Sequence, residues 1–326
     1  MYRNMYLALP PSLQAVVDYL YYFPKYRQIR YPAEIGLGLS VNCQGRCLYC
    51  PTHRSKRIHE SRNMSLRLAE KVVQDLSAHH FAGTINISEN GEALLNPYAS
   101  DILRLVSRQL PDCEVSLFTN MNSMDETMAQ KILDGGVQWI TVCIDGASEQ
   151  TYKCMKGLDF IKLRKNMHAL LTLRNNGNYT CKIVIYVISA SAYHENILKN
   201  QSPYPDDTQE VIAYWSRYLC TGDVVAPTPV LGYWALPNED KPENRSRCMH
   251  FDQISTKMII APNGTAYLCC IDDNIMTGYG NIANQSIGEV WNSRARSNLL
   301  RNVLLRRYKQ IGEPCLHCAH DVRLAS

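Results

Sequence analysis

The sequence predicts an α/β fold, in which a partial (β/α)6 TIM-like barrel precedes a small C-terminal α+β unit. From residue 35 onward, short apolar runs rich in β-branched residues alternate with longer stretches of helical periodicity. Such alternation is typical of a parallel sheet with right-handed crossovers, and six units are too few to close an eight-stranded barrel. After residue 247, a hairpin pattern with clustered cysteines replaces the alternation.

The predicted elements follow one another along the chain. Residues 12–30 place Leu13, Val16, Val17 and Leu20 at helical spacing and predict a helix packed on the outside of the main domain. The tyrosines of this helix are expected to pack against protein rather than face a membrane. The predicted strands are 35–41, 84–88, 114–118, 138–144, 182–188 and 223–226. The predicted helices are 65–80, 97–110, 124–134, 148–156, 160–174 and 207–219.

These elements divide the chain into four predicted parts. Residues 1–34 form a helical extension, 35–226 the partial barrel, 227–247 a linker rich in proline and polar residues, and 248–326 the C-terminal unit. Ligands of parallel sheets bind at the carboxyl ends of the strands. We therefore expect the functional residues in the loops that directly follow the strands.

Composition limits the classes of function. The thirteen cysteines are an odd number and are clustered, which indicates metal binding in a reducing compartment rather than a disulfide framework. A net charge of +4 gives little support for a nucleic-acid partner. The sequence shows neither a secretory signal nor a membrane-spanning run, so we expect a soluble cytoplasmic protein without a membrane partner. The arginines near the end are expected to be solvated: Arg294, Arg296, Arg301, Arg306 and Arg307.

Three cysteines directly follow the first predicted strand. Cys43, Cys47 and Cys50 have the spacing C-x3-C-x2-C. Thiolates hold iron–sulfur clusters, and a [4Fe–4S] cubane takes four ligands. A loop that offers three leaves one iron open to a small chelating molecule. A zinc site completed by His53, or buried structural cysteines, are the alternatives, although zinc loops usually carry a second ligand pair downstream.

With Tyr49 between its last two cysteines, this loop resembles the cluster-binding signature of the radical S-adenosylmethionine (SAM) enzymes. Segments 88–97, 118–120 and 142–157, each after a successive strand, resemble further motifs of that family. Asn90, Ala93, Met121, Cys143 and Lys156 replace residues that are usual there. The resemblance implies that backbone at Gly91 and Glu92 receives the amino group of SAM, so that a side chain at Gly91 would block binding without unfolding the barrel. The SAM-binding residues that it implies are Tyr49 (near adenine), Gly91, Glu92, Thr119, Asn120, Asp145 and Lys156.

The C-terminal unit carries a second set of cysteines. A hairpin pattern, 257–260 and 265–270, turns at 261–264 and is followed by Gly-Asn-Ile, Ile-Gly-Glu-Val-Trp and C-x2-C sequences. This order resembles the SPASM/twitch extension of radical SAM enzymes, which implies one auxiliary [4Fe–4S] cluster. A zinc ribbon is the alternative. The implied ligands are Cys248, Cys269 (with Cys270 as the other candidate for that position), Cys315 and Cys318.

The resemblance implies an enzyme that cleaves SAM with an electron from a flavodoxin- or ferredoxin-type donor. The resulting 5′-deoxyadenosyl radical would remove hydrogen from a substrate carbon, leading to oxidation (dehydrogenation) or epimerisation. Only 42 residues precede Cys43, too few for a leader-peptide-binding domain, which favours a small polar substrate such as a sugar or aminocyclitol.

Three alternatives remain open. A peptide epimerase or maturase would use Cys270 as a hydrogen donor, because neighbouring strand residues point to opposite faces and Cys269 would hold the cluster. An RNA-modifying enzyme with the same core is the second. An electron-transfer or scaffold protein without SAM chemistry is the third.

Overall fold

A computed structural model describes residues 6, 8–50, 62–87, 89, 91–193, 201, 203–228, 248 and 250–318. The predicted linker lies outside this range from residue 229 onward, as does His53. No helix in these described ranges is both long and apolar enough to cross a bilayer.

One sheet of nine strands forms the centre of the molecule, in the order β6-β5-β4-β3-β2-β1-β7-β8-β9. All neighbours from β6 to β7 are parallel, while β8 is antiparallel to both β7 and β9. The strands are β1 (Glu34–Leu37), β2 (Thr84–Ile87), β3 (Glu114–Thr119), β4 (Trp139–Cys143), β5 (Lys182–Val187), β6 (Val224–Pro227), β7 (Lys257–Ile260), β8 (Thr265–Tyr267) and β9 (Gly278–Asn281). The predicted parallel strands of the barrel are thus confirmed.

The helices follow the strands as predicted, because local signals begin them. The side chains of Ser65, Asp125, Ser148 and Asp159 each accept a hydrogen bond from the first turn of the helix that follows. The helices are α1 (Pro11–Arg27), α2 (Leu66–Ala78), α3 (Ala99–Gln109), α4 (Glu126–Asp134), α5 (Glu149–Lys156), α6 (Phe160–Asn176), α7 (Ala190–Tyr193), α8 (Thr208–Trp215), α9 (Phe251–Thr256), α10 (Ile287–Trp291), α11 (Arg294–Leu304) and α12 (Tyr308–Ile311). Short 3-10 turns lie at Ala93–Leu95, Ser216–Tyr218 and Cys315–His317.

The two faces of the sheet differ in character. The outer face is aliphatic and buried against the helices, with Ile35, Ile85, Val115, Ile140 and Ile183 all inaccessible to solvent. On the inner face, the same strands carry small and polar residues that alternate with them in sequence. The apolar core therefore lies between sheet and helices, and the interior of the barrel is left for ligands.

The C-terminal unit extends the barrel sheet. Strand β7 pairs in parallel with β1 over four residues, from Glu34 with Lys257 to Leu37 with Ile260. The boundary predicted at residue 248 therefore divides one continuous sheet.

Helix α1 has an aromatic face and an aliphatic face, and only the aromatic face is buried. Its aromatic residues Tyr19, Tyr22, Phe23 and Tyr26 pack on a cluster from α9 and α11 in the C-terminal unit. The prediction that α1 packs through Leu13, Val16, Val17 and Leu20 is wrong, because these four side chains are exposed. Aromatic side chains bury more area per residue than aliphatic ones, so the aromatic face turns inward. The expected use in packing is confirmed for Tyr19, Tyr22 and Tyr26 and is wrong for Tyr21, which is 57% exposed.

Two of the arginines predicted to be solvated are engaged in the fold. Arg296 is buried, with its guanidinium 3.3 Å from the centre of the Trp291 ring and a hydrogen bond to the carbonyl of Ser255. Arg306 forms an ion pair with Asp18 of α1 at 3.1 Å. Arg294, Arg301 and Arg307 are exposed, as expected.

Candidate active site

The three cysteines of the first motif share one loop at the carboxyl end of β1. A Cβ built on Gly45 would lie 3.4 Å from Cys43 Sγ and 3.6 Å from Cys47 Sγ, so both sulfurs turn toward the same small residue. The Gly45 N–H donates to Cys43 Sγ at 3.3 Å. Cys50 is close enough for its charge to affect the pKa of both other thiols. A loop of three grouped thiols fits an iron–sulfur cluster with one open iron.

Burial keeps the Cys43 and Cys47 thiols protonated when no metal binds. It raises the pKa of Cys47 to about 12 and also raises the pKa of Cys43. Because the thiolate is the metal ligand, cluster binding must displace these protons.

The residues after β2 hold the cysteine loop through their backbone. Glu92 N–H donates to the carbonyl of Asn42 at 2.7 Å. Gly91 has a φ of +76°, and a Cβ there would lie 2.4 Å from the carbonyl oxygen of Ser40. The family resemblance predicts that Gly91 lies against the ligand, and the structure places it against the backbone of the cysteine loop. A side chain at Gly91 would therefore displace that loop.

The Glu92 carboxylate joins the loops after β2 and β3. Its Oε1 accepts from the Thr119 hydroxyl at 2.8 Å, and its Oε2 accepts from Asn120 N–H at 2.8 Å. Burial raises the pKa of Glu92, and these hydrogen bonds oppose the rise. The Asn120 side chain accepts from Gln44 at 3.2 Å, and its Nδ2 lies 3.8 Å from Cys43 Sγ. The structure thus brings four predicted SAM-binding residues together beside Cys43.

The other three predicted residues form a buried network on the opposite side of the loop. The Tyr49 hydroxyl donates to Asp145 Oδ2 at 2.5 Å, and Lys156 Nζ lies 2.8 Å from that hydroxyl and 3.1 Å from Asp145 Oδ2. Asp145 Oδ1 also accepts from Ile188 N–H. Burial alone lowers the pKa of Lys156, but Asp145 together with Cys47, Tyr49 and Cys143 outweighs it and holds the pKa above its usual value. Lys156 is therefore a charged anchor for Tyr49.

Backbone hydrogen bonds complete this anchorage. Arg46 N–H donates to the carbonyl of Lys156 at 2.8 Å, and Leu48 N–H donates to that of Met155 at 2.9 Å. Ile188 and Ala190, after β5, pack with Tyr49. Because strand five lacks a recognisable family motif, sequence reasoning assigned no site residue there. The contact of Tyr49 with adenine stays a prediction.

The second set of cysteines lies in the C-terminal unit. Cys248 and Cys269 contact the same apolar cluster of α9 and α11. Cys315 and Cys318 lie on the turn that follows α12, and Tyr308 and Ile311 of α12 pack on that cluster too. Within the described part of the chain, no three His, Cys, Asp or Glu side chains converge on a single metal ion. The four thiols are a suitable donor set for a cluster, and their assignment as its ligands stays a prediction.

The argument that separated Cys269 from Cys270 by strand alternation is wrong. Strand β8 ends at Tyr267, so neither cysteine belongs to it, and a hydrogen bond between the two thiols raises the pKa of Cys269. Their surroundings nevertheless differ. Cys270 packs with Ile259 and Tyr267, and Glu89 and Lys257 are near enough to affect its pKa.

A buried charged cluster that the sequence did not reveal lies inside the barrel. Lys257 Nζ is 2.8 Å from Glu34 Oε1 and 2.6 Å from Glu89 Oε1. Burial alone lowers the pKa of Lys257, but the carboxylates of Glu89 and Glu34 raise it above its usual value. Asn86 donates to Glu34, and Ser116 donates to Asn86. This network lines the inner face of β7, β1, β2 and β3.

The inner face continues to the mouth of the barrel. The register pairs Phe118 with Thr141 and Tyr186 with Cys143, so these four residues share the inner face with Ser116. Phe118 is 40% exposed and Tyr186 37% exposed, although both lie on central strands of the sheet. The barrel interior therefore combines a polar floor with two accessible aromatic rings.

Replacing Lys257 with methionine is expected to lower the free energy of unfolding by about 3 kcal/mol, because Glu89 would remain buried without its counter-charge. Burial already raises the pKa of Glu89. The difference in unfolding free energy between wild type and variant should therefore shrink toward acidic pH, where this carboxyl is protonated in the variant. Urea denaturation at several pH values measures both effects. Lys182→Met is the matched control, since Lys182 begins β5 and donates only to the Thr221 carbonyl among the contacts observed. Equal losses in both variants would contradict the electrostatic explanation.

The geometry is that of a partial parallel barrel with three cysteines in the loop after its first strand, and comparison with known families identifies the class of protein. Residues 38–194 match the Radical SAM superfamily, and residues 248–319 match SPASM, an iron–sulfur cluster-binding domain. The chain is a radical SAM protein with a C-terminal SPASM domain.

Individual relatives are more distant. Over 147 residues, the chain is 28% identical to the S-adenosyl-L-methionine-dependent 2-deoxy-scyllo-inosamine dehydrogenase of Niallia circulans. The match covers 44% of this chain and 58% of that protein, so it spans little more than half of the relative's length.

Solved structures share the fold. BtrN in complex with AdoMet and 2-DOIA has a TM-score of 0.54 at 18% identity, covering 88% of this chain and 92% of that one. Streptococcus suis SuiB bound to precursor peptide SuiA has a TM-score of 0.58 at 14% identity, covering 94% and 74%. The anSMEcpe structure with bound AdoMet has a TM-score of 0.53 at 13% identity, covering 81% and 82%.

Proposed function

We propose that the protein is a radical SAM oxidoreductase that dehydrogenates a small polar molecule of the sugar or aminocyclitol class. The proposal includes two [4Fe–4S] clusters, one on Cys43, Cys47 and Cys50 and an auxiliary one in the SPASM domain. It also includes a one-electron donor of flavodoxin or ferredoxin type and a cytoplasmic location. When bound, the first cluster supplies the electron that splits SAM and so starts hydrogen removal from the substrate.

The polar inner face of the barrel is the main support for the proposed substrate class. Asn86, Ser116 and Thr141 present amide and hydroxyl groups on three adjacent strands, beside the Glu89–Lys257 ion pair. Such groups hydrogen-bond a molecule rich in hydroxyl or amino groups and offer little to an apolar one. The similarity to a curated aminocyclitol dehydrogenase supports the same substrate class.

Residues of this chain hold the cysteine loop in place and shield the barrel mouth. Glu92 and Asn120 fix one side of the cysteine loop, and Tyr49 with Lys156 fixes the other. Phe118 and Tyr186 flank the barrel mouth, where they would exclude water from the bound substrate.

Anaerobic turnover tests the proposal directly. The reconstituted protein is incubated with SAM, dithionite and a panel that contains 2-deoxy-scyllo-inosamine, related aminocyclitols, simple sugars and short peptides. We expect an aminocyclitol or sugar to stimulate 5′-deoxyadenosine formation and to lose two hydrogens by mass spectrometry. Stimulation by peptides alone would overturn the substrate class. If the cluster-loaded protein forms no 5′-deoxyadenosine, the proposed SAM chemistry is wrong.

A second candidate, peptide epimerisation with Cys270 as hydrogen donor, is favoured by one observation. Cys270 packs on Ile259 of the inner face and lies near Glu89 and Lys257, on the barrel side of the auxiliary unit. A buried free cysteine with only a packing role is the simpler explanation.

Turnover in deuterated water separates the two candidates. If dehydrogenation is the reaction, the product contains no solvent deuterium, and Cys270→Ala keeps at least about half of the activity, because a small packing residue is lost. Cys220→Ala, which removes an exposed thiol away from the site, is the control. Deuterium at a substrate carbon, together with a Cys270→Ala variant that consumes SAM without forming the product, would favour epimerisation.

A further inference from the structure

Helix α1 presents an apolar stripe to solvent. Leu13, Val16, Val17, Leu20 and Tyr21 have the spacing i, i+3, i+4, i+7 and i+8, which places them on one side of the helix. Their exposed fractions run from 43% for Val17 to 66% for Leu20. The opposite, aromatic side of α1 is packed on α9 and α11. A row of five exposed apolar side chains on one helix marks an interaction surface.

The exposed charges of α1 itself have one sign. The sole acidic residue of α1, Asp18, is buried and is bound by Tyr6 and Arg306. At the C-terminal end of the helix, Lys25 and Arg27 are exposed, and Lys25 Nζ lies 3.7 Å from the centre of the Tyr21 ring.

The helices that support α1 contribute charges of both signs, but on its packed side. Arg301 of α11 lies over the ring of Tyr19, and the exposed Asp252 of α9 accepts a hydrogen bond from Tyr26 at 2.5 Å. Tyr19 and Tyr26 both belong to the packed face of α1. The exposed charges that α1 itself places beside the stripe are therefore the basic ones, Lys25 and Arg27.

Against the expectation from the sequence that the protein has no membrane partner, we propose that α1 docks on the surface of an anionic lipid bilayer. An amphipathic helix that combines an apolar side with lysine and arginine lies in the membrane interface, where apolar burial and attraction to anionic headgroups both favour binding. A symmetric contact between two copies would bury the stripe but leave Lys25 and Arg27 without an acidic partner, because the one carboxylate of α1, Asp18, is buried. At 17 residues, α1 is too short and too polar to span the membrane, so the contact is peripheral. The proposal is independent of the substrate.

Vesicle co-sedimentation of the full-length protein tests the proposal. We expect binding to phosphatidylcholine vesicles that contain phosphatidylglycerol, weaker binding to phosphatidylcholine alone, and a decrease with added salt. The vesicle partition coefficient of the double variant Val17→Glu/Leu20→Glu should be lower by at least about tenfold. Two apolar contacts are replaced by negative charges, which the anionic headgroups repel. Ile161→Glu, at a 64% exposed position of α6, is the matched control and should bind as the wild type does.

Melting temperature and SAM cleavage of each variant confirm that fold and active site are intact. Wild-type protein that stays in the supernatant with both vesicle types would overturn the proposal, as would full binding by the double variant. Self-association that the double variant abolishes, without any vesicle binding, would assign the stripe to a second copy of the chain.

Discussion

Replacing Cys43, Cys47 and Cys50 together with alanine is expected to abolish SAM cleavage while about half of the iron stays bound. Cys43 and Cys47 lie beside Gly45, and Cys47 and Cys50 pack on one apolar cluster, whereas Cys248 and Cys269 pack on a different one in the C-terminal unit. Loss of one site should therefore leave the other loaded. Iron is measured per chain after anaerobic reconstitution, and 5′-deoxyadenosine is measured by chromatography.

A variant with Cys154 and Cys220 replaced by alanine is the control for this experiment. Neither thiol lies in a predicted metal site, so iron content and activity should match the wild type. A triple variant that keeps all its iron would place the cluster elsewhere. Complete loss of iron would show that the auxiliary site depends on the first one or holds no iron.

Replacing Gly91 with alanine is expected to displace the cysteine loop and so to reduce both stability and activity. The positive φ is unfavourable for any L-residue, and the new Cβ would meet the carbonyl oxygens of Ser40 and Asn42 at 2.4 and 2.6 Å. Because both contacts are backbone atoms of the cysteine loop, the loop itself must move. We expect a loss of about 3 kcal/mol in the free energy of unfolding and a lower cluster occupancy.

Gly136, in the turn between α4 and β4, provides the matched control for this substitution. It has a φ of +80°, close to that of Gly91, but a Cβ there would meet only the Ser107 side chain, at an ordinary contact distance of 3.5 Å. Gly136→Ala should therefore cost only about 1 kcal/mol from backbone strain and leave the clusters loaded. Denaturant titration and the cluster absorbance report the two quantities. If Gly91→Ala behaves like Gly136→Ala and loses only SAM affinity, the contact with the ligand, rather than with the loop, is what requires glycine.

The sequence predicted correctly those parts of the fold that depend on interactions between residues close together in the chain. Alternating apolar runs gave the parallel strands, and residues such as Ser65 and Asp125 begin the helices through hydrogen bonds to the following turn. The grouping of Gly91, Glu92, Thr119 and Asn120 followed from their positions after successive strands.

The parts that could not be predicted depend on contacts between distant segments. Lys257 meets Glu34 and Glu89 only because β7 lies next to β1, and no local pattern in the sequence indicates that pairing. The buried face of α1 was misassigned because aliphatic and aromatic residues both recur at helical spacing. The turn at Cys269 and Cys270 depends on where β8 stops, and the boundary of a short strand is poorly determined by local sequence.

The pairing of β7 with β1 has a consequence for how the molecule can be divided. Strand β1, which carries the cysteine loop, is hydrogen-bonded on both sides, to β2 and to β7. A chain cut within 227–247 would lose β7 and leave β1 as an unprotected edge, whose free N–H and C=O groups can pair with another molecule. The radical SAM barrel and its SPASM extension are two families by sequence, but they share one hydrogen-bond ladder and should unfold as a single cooperative unit.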